Sequence, residues 1–223
     1  MCDTSSSGVN SLSDVAQACL IDGGILLFPT ETWYAVGAKM SAAKALAALG
    51  WIKERPSTKP FPLAACDHHQ VARFCQTEAV DPSLLALWPA PLTVLLPKRD
   101  DVSLDPSLVN GRGEVAVRVA AHPMPRLLAR VCGELVTVSS ANCAGHSPVR
   151  FRAELDPVLL ERIRACEAKG IPCAVVESPL APQGIAPSTI VRPTAKGLEL
   201  VRDGAFSQKE LAKAGFSCFV PKG

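Results

Sequence analysis

A chain of 223 residues, 48% of them apolar, with 23 Lys and Arg against 21 Asp and Glu, can bury a sizeable core and carries a formal charge of only +2. That balance excludes a disordered polypeptide, and with aromatics at 5% it argues against a broad basic or base-stacking surface for nucleic acid. Nine cysteines form no CxxC pair and lie mostly within or beside apolar segments, which reads as small hydrophobic packing in a reducing, cytoplasmic setting. No apolar run approaches the roughly 20 residues of a membrane-crossing helix.

Residues 1–10 are Ser-rich and read as a frayed N-terminus. From Ser11 to Gly24, the residues Leu12, Val15, Cys19 and Leu20 form a helical stripe that Gly23 or Gly24 can end. The run "ILLF" predicts a short buried strand leaving through Pro29. In "SAAKALAALGWIKER", Leu46, Leu49 and Ile52 share a helical face with Ser41 as N-cap, so Lys53 and Arg55 arrive at the helix C-terminus. "LTVLLP" and "EVAVRV" read as strands, and "HPMPRLLARVCG" as a helix opened by proline and closed by Gly133. "LVTVSSA" reads as an interior strand. Asp156 and Pro157 start a helix that stops near Gly170, and "IPCAVVES", "STIVR" and "LELVRDG" are the final strands. This alternation predicts an α/β layered domain over residues 11–208 with one large mixed sheet, then a tail at 209–223. The Pro-rich connection Ser178–Pro187 reads as a mobile or ligand-covering loop.

Four segments offer chemistry. "FPTETWYAVG" sets Thr30, Glu31, Thr32 and Tyr34 directly after a buried strand, more directed hydrogen-bonding groups than a turn requires. "IKERPSTKP" crowds Lys53, Arg55 and Lys59 at a helix end, where the dipole tolerates cations; a solvated surface turn is the competing reading. "VSSANCAG" ends a strand in Ser140 and Asn142, as a ligand-approach site or as a simple strand-to-turn transition. Arg118 stands inside an apolar strand, where a guanidinium is costly unless an anion or a carboxylate such as Glu114 or Glu31 meets it. The sequence has no GxxxxGK[ST], GxGxxG or GxSxG, and its histidines show no zinc spacing with cysteine.

Taken in order, "FPTETWYAVG", "KERPSTKPFPL", "WPAPLTVLL", "VAVRVAAHP", "SSANCAG", "PSTIVR" and "LVRDGAF" resemble the threonylcarbamoyl-adenylate synthase (YrdC/Sua5) family over about residues 12–206. The resemblance implies a twisted, mostly parallel sheet flanked by helices around a positively charged concave cavity. It implies a nucleotidyltransferase that condenses L-threonine, bicarbonate or CO2, and ATP into L-threonylcarbamoyl-adenylate and pyrophosphate. A downstream transferase then carries the group to adenosine 37 of tRNA. Carried over by motif, Lys53 and Arg55 are the catalytic Lys-x-Arg pair. Thr30, Thr32, Tyr34, Lys59 and Arg118 face threonine or its carbamate. Lys53, Arg55, Ser140, Asn142, Ser188 and Thr189 face ATP, with Mg2+ held by its phosphates. Two other readings stay open: a carbamoyl-adenylate-forming paralogue with another acceptor, and an RNA-binding or ribosome-maturation module. For the synthase itself a weak tRNA or RNA contact is the further partner expected. The chain departs from the family pattern at Ala35 and Ala90, where glycine is usual, at Ala120, where proline is usual, and in "HSPVR" after "SANCAG".

Overall fold

The computed structural model describes residues 12–56, 58–78 and 80–220, so the frayed reading of residues 1–10 lies outside it. The chain opens with α1 (Asp14–Ile21), the hairpin β1 (Ile25–Pro29) and β2 (Tyr34–Gly37), α2 (Ala43–Ile52) and β3 (Leu63–Ala65). Two short helices, α3 (His68–Ala72) and α4 (Pro82–Leu85), lead to β4 (Leu92–Pro97), β5 (Glu114–Val119) and α5 (Pro123–Cys132). There follow β6 (Val136–Thr137), β7 (Ser139–Ser140), α6 (Pro157–Glu167) and β8 (Cys173–Val175). Strands β9 (Thr189–Thr194) and β10 (Gly197–Arg202), helix α7 (Gln208–Lys213) and β11 (Cys218–Phe219) end the described fold.

The strands divide between two mixed sheets, ordered β7-β2-β1-β8 and β11-β10-β9-β4-β5-β3-β6. The α/β architecture with mixed sheet flanked by helices is as expected; the strands are divided between two sheets rather than gathered in one. The short connections 30–33 and 195–196 permit only antiparallel neighbours, whereas the parallel pairs β1–β8, β3–β5 and β4–β9 are reached by longer crossovers. The segment from 209, read from sequence as a tail, packs onto the domain: β11 pairs parallel to β10, and Leu211 of α7 is fully buried. Among the described residues no helix is long and apolar enough to cross a membrane.

Three local details differ from the sequence reading. Ser13 caps α1 by accepting the Ala16 amide, which turns Ala16, Cys19 and Leu20 inward and leaves Val15 71% exposed. Helix α2 has no side-chain cap: Ala42, not Ser41, occupies the N-cap position, and the Ser41 hydroxyl donates to the Glu134 carboxylate at 2.7 Å. The strand expected at "LVTVSSA" is broken: β6 pairs with β3 in the large sheet, and two residues later β7 pairs with β2 in the small one. This crossing brings the Thr137 carbonyl against Gly37, where any Cβ would collide with it. The two sheets are thereby locked beside one another, and the end of the broken strand lies next to the loop between β1 and β2.

Candidate active site

After Pro29 the chain has four residues in which to reverse before pairing again as β2. Thr30 closes that turn. Its hydroxyl donates to the Trp33 carbonyl oxygen at 2.7 Å and accepts the amides of Thr32 and Trp33, each at 3.2 Å. The Tyr34 hydroxyl donates to the Val176 carbonyl oxygen. Burial first, and then the Glu177 charge, pushes its pKa up to about 12, so it is a neutral donor at physiological pH.

Helix α2 ends in a left-handed step at Glu54, with φ 47°. The amides of Glu54 and Arg55 bond to the carbonyls of Trp51 and Gly50, closing the helix end in paired backbone bonds. The step sends the two flanking cations different ways. Lys53 reaches the Ser140 carbonyl oxygen at 2.6 Å, the Asn142 carbonyl oxygen, and Asn142 Oδ1 at 3.2 Å. An ammonium has three donors, and all three are engaged. Arg55 turns into a cleft, held by Nε on the Lys59 carbonyl at 2.7 Å, Nη2 on the Pro60 carbonyl at 2.6 Å, and the Phe61 ring 4.7 Å away. Burial, with the Arg55 charge, lowers the Lys53 pKa to about 8, and burial lowers that of Arg55.

Two more guanidiniums meet Arg55. Arg118, from β5, makes an ion pair with Glu31, Nε to Oε1 at 2.9 Å, with side chains only 5% and 9% exposed. The second oxygen of Glu31 is buried with no partner. Glu114, the other carboxylate considered for Arg118, pairs with Arg192 instead. Arg202, at the end of β10, donates through Nε and Nη2 to the Ser188 carbonyl at 2.9 and 2.6 Å, and through Nη2 to Ser188 Oγ at 3.0 Å. Although Arg202 is exposed as a whole residue, burial of its guanidinium, then Arg118 and Arg55, pushes its pKa down to about 10. It stays cationic at neutral pH. The three arginines share an open cleft of about 540 Å³ with Thr30, Thr32, Trp33, Tyr34, Ser139, Ser140 and Ser188. Three cations against one carboxylate make it a site for anions.

Residues 18–204 match the Sua5_yciO_yrdC family model, described as "Telomere recombination". The chain belongs to this family. Within it, the chain is 36% identical to the threonylcarbamoyl-AMP synthase of Idiomarina loihiensis over 139 residues, covering 60% of this chain and 74% of the relative. It is 35% identical to that of Xanthomonas axonopodis pv. citri over 155 residues, covering 67% and 81%. Among solved structures, P. abyssi Sua5 complexed with L-threonine superposes with a TM-score of 0.74 at 22% identity, which shows a common fold. That match covers 92% of this chain and 58% of the Sua5 chain.

The family motifs do converge, but not every residue named from them reaches the cleft. Thr30, Thr32, Tyr34, Arg55, Arg118, Ser140 and Ser188 line it. Lys53 and Asn142 stand behind the wall: Lys53 is spent on the loop, and the Asn142 amide donates to the carbonyls of Cys143 and His146. Thr189 is fully buried and its hydroxyl donates to the Phe206 carbonyl at 2.6 Å, so it braces the segment behind Ser188. Lys59 is exposed and contributes only its carbonyl, to Arg55. Ala35 and Ala90, buried where glycine is usual in the family, have no left-handed backbone to relieve. Arg202 and Trp33 also line the cleft; neither is among the expected site residues, although they lie in the motif segments "LVRDGAF" and "FPTETWYAVG". The Ser178–Pro187 segment lies against the threonine turn, its Gln183 and Gly184 amides bonded to the carbonyls of Glu31 and Thr32.

Proposed function

We propose that the protein forms L-threonylcarbamoyl-adenylate and pyrophosphate from L-threonine, bicarbonate or CO2, and ATP. On this reading the product serves a downstream transferase that modifies adenosine 37 of tRNA. The observation that carries the proposal is the meeting of Arg55, Arg118 and Arg202 in one cleft whose wall is built by the Lys-x-Arg and Ser-x-Asn segments. A carboxylate, a carbamate and a triphosphate repel one another, and bringing them together requires fixed positive charge that needs no reorganisation as the reaction proceeds. The carbamate oxygen must then attack the α-phosphorus opposite the departing pyrophosphate, so holding the two reactants in line is the main contribution the protein can make. Ser140 and Ser188 line the same cleft, the Ser188 hydroxyl paired there with the hydroxyl of Thr93 and the guanidinium of Arg202.

The described residues bring no group of three or more His, Cys, Asp or Glu together. A Mg2+ ion therefore fits this site as part of the nucleotide substrate, held by phosphate oxygens, and supplies further charge neutralisation there. A reducing, cytoplasmic setting is part of this reading, on the cysteine pattern of the sequence alone.

The test is incubation of the purified protein with ATP, bicarbonate and single amino acids, with chromatography of the adenylate and assay of pyrophosphate. Threonine-dependent formation of both supports the proposal. Formation only with another amine would reassign the acceptor. No adenylate with any amino acid, together with salt-sensitive RNA binding, would overturn an enzymatic role.

A further inference from the structure

Of the three guanidiniums in the cleft, only Arg118 meets a carboxylate among the described residues. Arg55 is held by two carbonyl oxygens and a ring, and Arg202 by the carbonyl and hydroxyl of Ser188, contacts that orient a cation without cancelling its charge. The cleft is thus electrically uneven. Beside Arg55 and Arg202 it carries uncompensated charge; beside Arg118 it is nearly neutral.

The Glu31–Arg118 contact is also incomplete as a structural bridge. A closed arginine–carboxylate pair joins two nitrogens to two oxygens. Here Glu31 engages Nε alone, its other oxygen is buried without a donor, and the terminal nitrogens of Arg118 have no hydrogen-bond partner among the described residues. What Arg118 presents to the cleft is a fixed two-pronged donor whose net charge has been offset from behind. Such a group suits a planar, singly charged carboxylate or carbamate. A polyphosphate gains far less from it than from Arg55 and Arg202, because attraction to a multiply charged ligand scales with uncompensated charge.

We propose that Glu31 is the positioning residue that divides the cleft, making Arg118 the seat of the carboxylate-bearing substrate and confining the triphosphate to Arg55 and Arg202. This rests on the reaction proposed above. Removing the Glu31 charge while keeping its shape, as in Glu31→Gln, frees Arg118 to attract phosphate and unfixes its fork.

Inorganic tripolyphosphate probes the division directly, with adenylate formation followed by chromatography. In the wild-type protein it is expected to compete with ATP and not with L-threonine. In Glu31→Gln it should also compete with L-threonine, while the KM for L-threonine rises at least about tenfold and that for ATP stays within about threefold. Glu31→Asp should restore the wild-type inhibition pattern, which a merely structural role for Glu31 would not require. Equal rises in both KM values with an unchanged pattern would overturn the proposal. So would competition with L-threonine in the wild type, a measurement that stands even where Glu31→Gln does not fold. Absence of any threonine-dependent turnover is a different result: it removes the reaction itself, and this proposal with it.

Discussion

The ammonium of Lys53 lies 2.6 Å from the main-chain oxygen of Ser140, a residue 87 positions further along the chain. With two contacts to Asn142, this bond ties the end of α2 to the turn after β7 and makes one wall of the cleft a single piece. Lys53, expected from its motif to face ATP, is in this fold a pin that holds a neighbour lining the cleft.

Replacing Lys53 by Met keeps most of the volume and leaves two carbonyls and an amide oxygen without their donor. The expected loss is about 1–3 kcal/mol of folding stability, read from urea unfolding, with a raised KM for ATP because Ser140 is no longer fixed. A variant as stable as the wild type would show that the pin does not exist.

Lys53 also gives stability a defined pH dependence. Its folded pKa is about 8, below the value near 10.5 of the unfolded chain. Below pH 8 both states hold the proton, and the folded state carries the full cost of a buried charge. Between about 8 and 10.5 the unfolded state binds more protons, so the Lys53 contribution rises with pH. The stability difference between wild type and Lys53→Met should therefore grow in favour of the wild type from pH 7.5 to pH 9.5. Other groups titrate in this window, which is why the difference is the quantity to follow. A difference that stays flat or falls contradicts the lowered pKa.

Arg55 and Lys59 separate a cleft cation from a surface one. Arg55→Ala removes a guanidinium fixed by two carbonyls, and adenylate formation should fall by an amount corresponding to about 2–5 kcal/mol, with circular dichroism unchanged. Lys59→Ala, at an exposed site, should change kcat/KM by a factor corresponding to less than about 1 kcal/mol. Comparable losses in the two variants would mean that substrate reaches Lys59 as well.

Arg202 was not singled out from the sequence, yet it completes the cationic side of the cleft. Arg202→Lys keeps a charge but loses the two-nitrogen grip on Ser188. The expected outcome is a KM for ATP raised at least about tenfold, with the KM for L-threonine little changed. An unaltered ATP dependence would exclude Arg202 from the nucleotide side.

Cys143 tests whether the cysteine in the Ser-x-Asn segment matters chemically. It is 3% exposed, burial pushes its thiol pKa up, and no hydrogen bond to its sulfur is found among the described residues. Cys143→Ala should leave turnover within a few-fold. Cys143→Ser should do the same but lose about 1–3 kcal/mol of stability, because it buries a hydroxyl without a partner. Complete loss of activity in a folded Cys143→Ala protein would reveal a thiol function.

The sequence by itself determined the α/β class, the longer elements and the family. Periodicity, proline and glycine placed α1, α2, α5 and α6 and the longer strands, since those signals are local, but left β2, β3, the short helices α3 and α4, and the closing α7 and β11 unread. The ordered motifs located the segments that form the cleft. It also supplied the residue types: Thr30, Arg55, Arg118 and Ser140 were legible as candidates because each offers directed donors or charge, and Ser188 through the family motif. Tertiary structure alone decided which of those groups line the cleft and which brace it. Lys53 and Thr189 spend their donors on carbonyl oxygens brought in from distant parts of the chain, and Asn142 spends its amide on carbonyls of its own turn. Glu31 rather than Glu114 reaches Arg118, and Arg202 arrives beside Arg55, for the same reason. A side chain's chemistry is written at its own position; its partner is set by the packing of two sheets, which no single segment encodes.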